Sequence, residues 1–184
     1  MGSVKIKNMI LCAMFVALIA VGAFIKIPVP VVPFTLQYLF TMLAGLFLGG
    51  RWGFISVCIY IALGLMGLPI FSSGGGVGYI FQPSFGYIIG FAAGAFATGI
   101  IANKRSVPGY KRLLAANFIS LGIVYLIGMV YYYFISNLYL GDPIGIWPLF
   151  LYCFILAVPG DILLCVVGAV LGKRLIPLIK KERI

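Results

Sequence analysis

Long apolar runs recur along the 184-residue chain, and they constrain its fold more than any other feature. The first of them, MILCAMFVALIAVGAFI, covers residues 9–25. Such runs approach the length of about 20 residues with which a helix crosses a hydrocarbon core roughly 30 Å thick. Only 9% of the residues are charged, so the chain lacks the polar side chains to cover a surface in water. The sequence therefore predicts an all-α membrane protein, since the alternating strands of a membrane β-barrel are absent.

Prolines and glycines divide the apolar sequence into six predicted transmembrane helices in a single domain, residues 1–184. The predicted helices run from Asn8 to Phe24, from Pro33 to Gly50, from Trp52 to Gly67, from Ser84 to Ala102, from Leu113 to Tyr133 and from Pro159 to Leu178. Pro159 suits the first turn of the last helix because its missing N–H needs no partner there. The apolar residues before Pro159 are predicted to pack as a short segment against one membrane face.

Basic residues predict the orientation of these helices. With both termini in the cytosol, 12 of the 13 basic residues lie on the cytosolic side and only Lys26 lies outside. The twelve are Lys5, Lys7, Arg51, Lys104, Arg105, Lys111, Arg112, Lys173, Arg174, Lys180, Lys181 and Arg183. Lysine and arginine are retained on the cytosolic side during insertion, so this asymmetry favours six crossings. The net charge of +10 then reflects topology and attraction to anionic membrane lipid, not binding of nucleic acid.

The loops predicted to face outward, residues 25–33, 67–85 and 137–158, are apolar and nearly uncharged. One of them leads into the stretch SSGGGVGYIFQPSFGY, residues 72–87, which lacks the lysine of a phosphate-binding loop. Such loops suit a pocket for a small, largely apolar ligand with a few hydrogen-bonding atoms. The candidate ligand-binding residues in and beside these loops are Thr35, Gln37, Tyr79, Gln82, Ser84 and Tyr87.

The chain has only three acidic residues, Asp142, Asp161 and Glu182. Asp142 is predicted to lie in a turn, and Glu182 to be a solvated charge in the basic C-terminal tail. Asp161 lies where the last helix begins, so it can cap that helix, accept hydrogen bonds from a ligand, or do both. Asn117 is predicted to make a hydrogen bond between helices, with contact to the ligand as the alternative.

Catalytic and metal-binding residue patterns are missing from the sequence. There is no histidine, and the four cysteines, Cys12, Cys58, Cys153 and Cys165, show no spacing typical of a disulfide framework or a metal site. The carboxylates are not paired, so acid–base catalysis is disfavoured. The sequence also lacks a nucleotide-binding motif, so the energy for any transport must come from other chains. We therefore predict a non-enzymatic protein without a metal or cofactor.

Three stretches together resemble the BioY family, the biotin-binding substrate (S) components of energy-coupling factor (ECF) transporters. They are PVVPFTLQYLFTMLAGLFLGGRWG, YIALGLMGLPIFSSGGGVGYIFQPSFGYIIGF and VPGDILL. The resemblance covers roughly residues 8–175. It implies a six-helix bundle in the plasma membrane of a prokaryote, with an extracytoplasmic vitamin pocket closed by the first and third outer loops. Biotin is then the transported ligand and not a cofactor.

The resemblance also implies partners, namely a transmembrane coupling protein and two cytosolic ATPases. In related transporters, small residues in an A-x-x-x-A pattern on the first helix contact the coupling protein, and here they are Ala13 and Ala17. The alternative for these alanines is packing inside the bundle.

The chain departs from the family pattern at one position. A lysine usually stands three residues after the aspartate of the P-G-D motif, where this chain has Leu164. Either another donor serves, with Lys26 and loop N–H groups as candidates, or the ligand is a related ring-bearing carboxylate such as lipoate. Two further hypotheses are a membrane enzyme that acts on lipid and a structural membrane subunit without a ligand.

Overall fold

The computed structural model is a helical bundle, described here for residues 2–27, 34–104, 108–141 and 143–181, with backbone only at 2–5 and 180–181. The helices are α1 (Gly2–Phe24), α2 (Gln37–Leu48), α3 (Gly50–Leu65), α4 (Phe85–Asn103), α5 (Tyr110–Ile135), α6 (Ile146–Phe150) and α7 (Val158–Lys181). Short 3₁₀ or π-helical turns cover Val77–Phe81, Ser136–Leu140 and Leu151–Ile155. The predictions for Asp142 and Glu182 lie outside the described residues.

Helix length separates the described helices into two groups. Four helical stretches are long and apolar enough to cross a membrane: Ile6–Phe24, Phe85–Asn103, Tyr110–Leu140 and Ile146–Ile179. The apolar helices α2 and α3 are shorter, with 12 and 16 residues. At 1.5 Å per residue, α2 covers only about 18 Å, less than a hydrocarbon core of about 30 Å. The prediction of membrane helices is therefore confirmed. Helix α3 is as long as the sequence predicted, whereas α2 is shorter than its predicted span.

The second predicted helix begins at Gln37 and not at Pro33, so this predicted boundary was wrong. Phe34–Thr35 instead forms a strand, β2, paired antiparallel with β1 (Lys26–Ile27). The register places Lys26 opposite Thr35, and Leu36 N–H donates to Ile25 O at 3.2 Å. Proline cannot donate to a helix and biases the residue before it toward extended backbone, so the proline-rich segment favours this hairpin.

The last long helix begins close to Pro159, as predicted, and the helical turns before it form one apolar stretch with it, Ile146–Ile179. The helix α6 ends at Phe150, and the π-helical turn after it ends at Ile155. Helix α7 then begins at Val158. Between them, Ala157 N–H donates to Phe154 O at 3.2 Å and Asp161 N–H donates to Ala157 O at 3.4 Å, so the local hydrogen bonds continue across the junction. Ala157 and Asp161 lie at the same end of the bundle as the β-hairpin, where they line one cavity with Phe34.

Small residues set the close packing of α2, α3 and α4. A Cβ atom added at Gly45 on α2 would collide with Ala95 O on α4, and one at Gly99 on α4 would collide with the backbone at Gly50. A Cβ atom at Gly53 would approach Gly45 Cα to 2.8 Å. Small residues let helix backbones approach closely, which is how helices gain packing energy in lipid.

The two ends of the bundle differ in charge. At the cavity end lie the β-hairpin, the loop after α3, and the beginning of α7. At the other end, Asn103 Nδ2 donates to Leu46 O at 3.2 Å, and Lys173 Nζ donates to Pro108 O at 3.5 Å. The basic residues Arg51, Lys104, Lys111, Arg112, Lys173 and Arg174 belong to this second end, the basic end.

Candidate functional site

A cavity of about 50 Å³ lies at the end of the bundle that carries the β-hairpin. It is bounded by β2, α2, α4, α5, the turn before α7, and the loop after α3. Its lining residues are Phe34, Thr35, Gln37, Tyr38, Ser72, Ser84, Tyr87, Ile88, Phe91, Val124, Tyr125, Cys153, Ala157 and Asp161. The lining combines aromatic rings with a few hydroxyl and amide groups and a single carboxylic acid, as small-molecule sites do.

Asp161 supplies the charge of the cavity. Its side chain is only 8% exposed, and its Oδ2 accepts a hydrogen bond from the Tyr125 hydroxyl at 2.5 Å. No other hydrogen bond to this carboxylate is found within the described part of the chain, so the predicted capping bond to a backbone N–H is not seen there. The second oxygen, Oδ1, therefore remains for a donor that enters the cavity.

Neighbouring aromatic rings hold Tyr125 in place. Its ring packs edge to face against Tyr87, with centroids 5.8 Å apart, and against Phe154, with centroids 5.3 Å apart. The Tyr87 hydroxyl itself donates to Cys153 O at 3.4 Å. Edge-to-face contacts restrict ring rotation, so the Tyr125 hydroxyl is presented to Asp161 in one orientation.

A chain of hydrogen bonds supports the part of the wall that contains Thr35 and Gln37. The Thr35 hydroxyl donates to Gln37 Oε1 at 3.3 Å, and Gln37 Nε2 donates to the Tyr60 hydroxyl at 2.6 Å. Tyr60 in turn donates to Ile70 O at 2.9 Å. Each of these three side chains donates to the next group, so the wall is held rigidly, and the Thr35 oxygen keeps lone pairs for an incoming donor.

The glycine-rich loop, residues 71–84, contributes Ser72 and Ser84 to the lining of the cavity. Phe71 is fully buried, and its ring occupies the space that a side chain at Gly64 would need. Gly74 and Gly76 have φ angles of 121° and 96°, and Gly76 N–H donates to Gly64 O at 2.7 Å. The glycines thus close a tight turn that folds back onto α3, in backbone conformations that other residues rarely adopt.

Three hydroxyl groups connect this loop to α4. The Tyr79 hydroxyl lies 3.0 Å from Ser72 Oγ and 3.1 Å from Ser84 Oγ. Ser72 also accepts a hydrogen bond at its carbonyl oxygen from Lys26 Nζ, at 2.8 Å. The hairpin, the loop and the beginning of α4 are therefore joined at the rim of the cavity.

Tyr38 forms the floor. Its ring stacks against Phe91 with centroids 6.3 Å apart, and its hydroxyl donates to Asn117 O at 2.8 Å. Below it, Asn117 Nδ2 donates to Cys165 O at 2.8 Å, which is the hydrogen bond between helices that the sequence predicted. Asn117 lies beneath the floor and does not line the cavity.

Five of the eight predicted ligand-binding residues line the cavity together: Thr35, Gln37, Ser84, Tyr87 and Asp161. Tyr79 does not line the cavity but is hydrogen-bonded to Ser72, which does. Gln82 is exposed. Leu164, at the position where the family pattern has lysine, is buried among apolar residues.

Sequence reasoning missed Tyr125, Tyr38 and Ser72. Tyr125 belongs to a buried stripe on α5 that also contains Leu121, Gly128 and Tyr132. A helical spacing of three or four residues would have indicated that this face looks inward, but it does not distinguish a cavity wall from closed packing.

Ala13 and Ala17 lie elsewhere, on the outer surface of α1. Both are exposed, and they line an open apolar groove of about 640 Å³ between α1 and α3. Met9, Trp52 and Ile59 are among its other lining residues. We call this surface the α1–α3 groove.

Comparison with known proteins gives consistent matches over the whole chain. The model described as the BioY family matches residues 1–181. The probable biotin transporter BioY of Lysinibacillus sphaericus is 44% identical over 176 residues, covering 96% of this chain and 90% of that protein. The biotin transporter BioY of Thermotoga maritima is 40% identical over 137 residues, covering 74% of this chain and 78% of that protein.

A solved structure has the same fold. It is the S-component for biotin from an ECF-type ABC transporter, with a TM-score of 0.79 and 27% sequence identity. The match covers 95% of this chain and 93% of that chain.

Proposed function

The chain belongs to the BioY family, and we propose that it captures biotin as the substrate-specific component of an ECF-type transporter. The names of its relatives and of the matched structure support this function. The cavity is the structural observation that carries this proposal, because Asp161 is the one charged group among its lining residues.

The chemistry of biotin fits this lining. The cyclic urea of biotin has two N–H donors and one carbonyl acceptor, fused to an apolar sulfur-containing ring. Asp161 Oδ1 can accept one of these N–H bonds, because Tyr125 occupies only Oδ2. The hydroxyl of Ser84 can rotate to donate to the urea carbonyl, and the rings of Tyr38 and Phe91 suit the apolar face of the bicycle. Each buried polar atom left without a hydrogen-bond partner costs about 1–3 kcal/mol. The hydrogen-bonding groups of the lining therefore also select ligands that carry a matching urea group.

The cavity must widen when biotin enters. A volume of about 50 Å³ holds only a few water molecules, since each needs at least roughly 10–15 Å³ of such space. The bicycle and its tail need more room than this. The β-hairpin and the glycine-rich loop are wall elements that lie outside the long helices, so we infer that these move outward as the ligand binds.

We further propose six membrane crossings with both termini in the cytosol. The short helices α2 and α3 then form a hairpin whose tight connection, around Gly49, lies at the basic end. Support comes from charge, because Arg51, Lys111 and Lys173 lie at this end whereas the cavity end carries Lys26. This orientation opens the cavity to the outside of the plasma membrane of a prokaryote.

Energy for uptake must come from partners, and we propose a transmembrane coupling protein with two cytosolic ATPases. The α1–α3 groove is the proposed docking surface, since Ala13 and Ala17 are exposed there and leave room for a helix of the partner. This partner is in keeping with the ECF-type transporter named for the matched structure.

Calorimetric titration of the purified protein with biotin and with lipoate tests the proposed ligand. We expect saturable binding of biotin at one site and binding of lipoate at least tenfold weaker, because lipoate lacks the urea group that Asp161 would bind. Equal affinity for both compounds, or no heat with biotin, would overturn the assignment.

A further inference from the structure

Lys26 lies at the rim of the cavity, between two of its lining residues. In the β-hairpin its backbone pairs with Thr35, and its Nζ donates to Ser72 O at 2.8 Å. Both Thr35 and Ser72 line the cavity. The side chain itself is exposed, so the ammonium group remains within reach of a ligand that extends out of the cavity.

In the described part of the chain, the ammonium group of Lys26 is hydrogen-bonded to a neutral group. Its hydrogen bond goes to a carbonyl oxygen, whereas the carboxylate of Asp161 is bonded to Tyr125. The whole chain has 13 basic residues and only three acidic ones, so protein counter-ions are scarce. At the cavity end, Lys26 is the one basic residue among those described.

We propose that Lys26 binds the carboxylate of the ligand and thereby sets the orientation of the ligand in the cavity. This inference rests on the proposed function. The urea ring lies inside against Asp161, and the tail runs to the rim, where its carboxylate meets the Lys26 ammonium. The reverse orientation brings the ligand carboxylate against Asp161, and two like charges in a poorly solvated site repel strongly.

This role makes Lys26 a determinant of specificity for carboxylates. A hydrogen bond to a charged group is stronger than one between neutral groups, and removing it weakens binding by about tenfold or more. Lys26 can release Ser72 O at small cost, because this hydrogen bond is only partly buried.

The test compares two ligands with three proteins. Wild type, Lys26→Gln and Lys26→Arg are titrated calorimetrically with biotin and with its neutral primary amide. We expect wild type to bind the amide about tenfold more weakly than biotin. Lys26→Gln should bind both compounds equally, with the affinity that wild type has for the amide, and Lys26→Arg should keep the preference for biotin.

Other results would overturn the inference. If Lys26→Gln weakens biotin and the amide by the same factor, Lys26 only holds the loop at Ser72. A wild-type protein that does not distinguish the two compounds has no carboxylate site at the rim. If wild type binds neither compound, the proposed function fails and this inference with it. Lys111→Gln, at the basic end, is the matched control and should leave both affinities unchanged.

Discussion

The cavity and the α1–α3 groove show that volume alone does not identify a ligand site. The groove measures about 640 Å³ and the cavity only about 50 Å³. The groove is lined by aliphatic and sulfur-containing side chains and Trp52, whereas the cavity joins Asp161, Thr35 and Ser84 with aromatic rings. Directional hydrogen bonds select a small polar molecule, so the smaller space is the one suited to a vitamin.

The difference between the groove and the cavity also follows from the lipid that surrounds the protein. Apolar surface gains little by leaving lipid, because acyl chains are as apolar as leucine. A large apolar groove in a membrane protein therefore needs close packing with a matching surface, and the small side chains of Ala13 and Ala17 permit that. A polar group in lipid has no water to bond, so the polar residues of the cavity must be paired within the protein, by water held in the cavity or by a ligand.

The largest expected effect is that of Asp161→Asn. This change preserves the shape of the side chain but removes the negative charge that accepts hydrogen bonds from Tyr125 and, in our proposal, from the urea of biotin. We expect biotin affinity to fall at least tenfold in a calorimetric titration, since hydrogen bonds to charged groups contribute about 1.5–3 kcal/mol. The thermal stability of the ligand-free protein serves as the control for folding, and an unchanged affinity would mean that Asp161 has only a structural role.

Ala17→Trp should separate the two regions. The bulky ring fills the α1–α3 groove and lies outside the cavity, so biotin binding should be unchanged while ATP-driven uptake falls about tenfold, the result expected if docking loses about 1.4 kcal/mol. Uptake into proteoliposomes that contain the partner subunits measures this. Met14→Trp is the matched control, because Met14 is 46% exposed on α1 and does not line the groove. Normal uptake by the Ala17 variant would exclude the groove as the docking surface.

Tyr125→Phe should weaken biotin binding about fivefold. It removes the hydroxyl that holds Asp161 Oδ2 and keeps the ring that packs against Tyr87 and Phe154, so about 1 kcal/mol is lost. In a double-mutant cycle with Asp161→Asn, the two losses should not add, because both act on one carboxylate. Tyr133→Phe is the control on the same helix, with a side chain 37% exposed. Additive losses would show that Tyr125 acts independently of Asp161.

Gly76→Ala should have the smallest effect, a loss of affinity of about twofold to threefold. Its φ of 96° is unfavourable for alanine by about 1 kcal/mol, and the strain loosens the loop that carries Ser72 and Tyr79. Gly78→Ala is the matched control, since Gly78 has no positive φ and nothing lies within 4 Å of an added Cβ atom. Equal calorimetric affinities for the two variants would show that the turn at Gly76 does not shape the cavity.

The sequence contained enough information for the helices and for part of the site. Apolar length predicted α4, α5 and α7 closely, and the proline before Asp161 indicated where α7 begins. The prediction that the second helix begins at Pro33 was wrong, because an apolar segment next to a proline suits a strand as well as a helix. Only the hydrogen bonds between Lys26–Ile27 and Phe34–Thr35 decide between these two conformations.

The sequence by itself determined that this is a membrane protein with a large excess of basic residues, because hydrophobicity and net charge are sums over residues that do not depend on contacts. It also singled out Asp161, since an acidic residue is rare in such a chain. Only the tertiary structure decided that Tyr125, 36 residues away, bonds to Asp161, and that Tyr38 packs above Asn117, 79 residues away. These pairs depend on how helices dock and rotate against one another, and that geometry is set by packing at many positions at once.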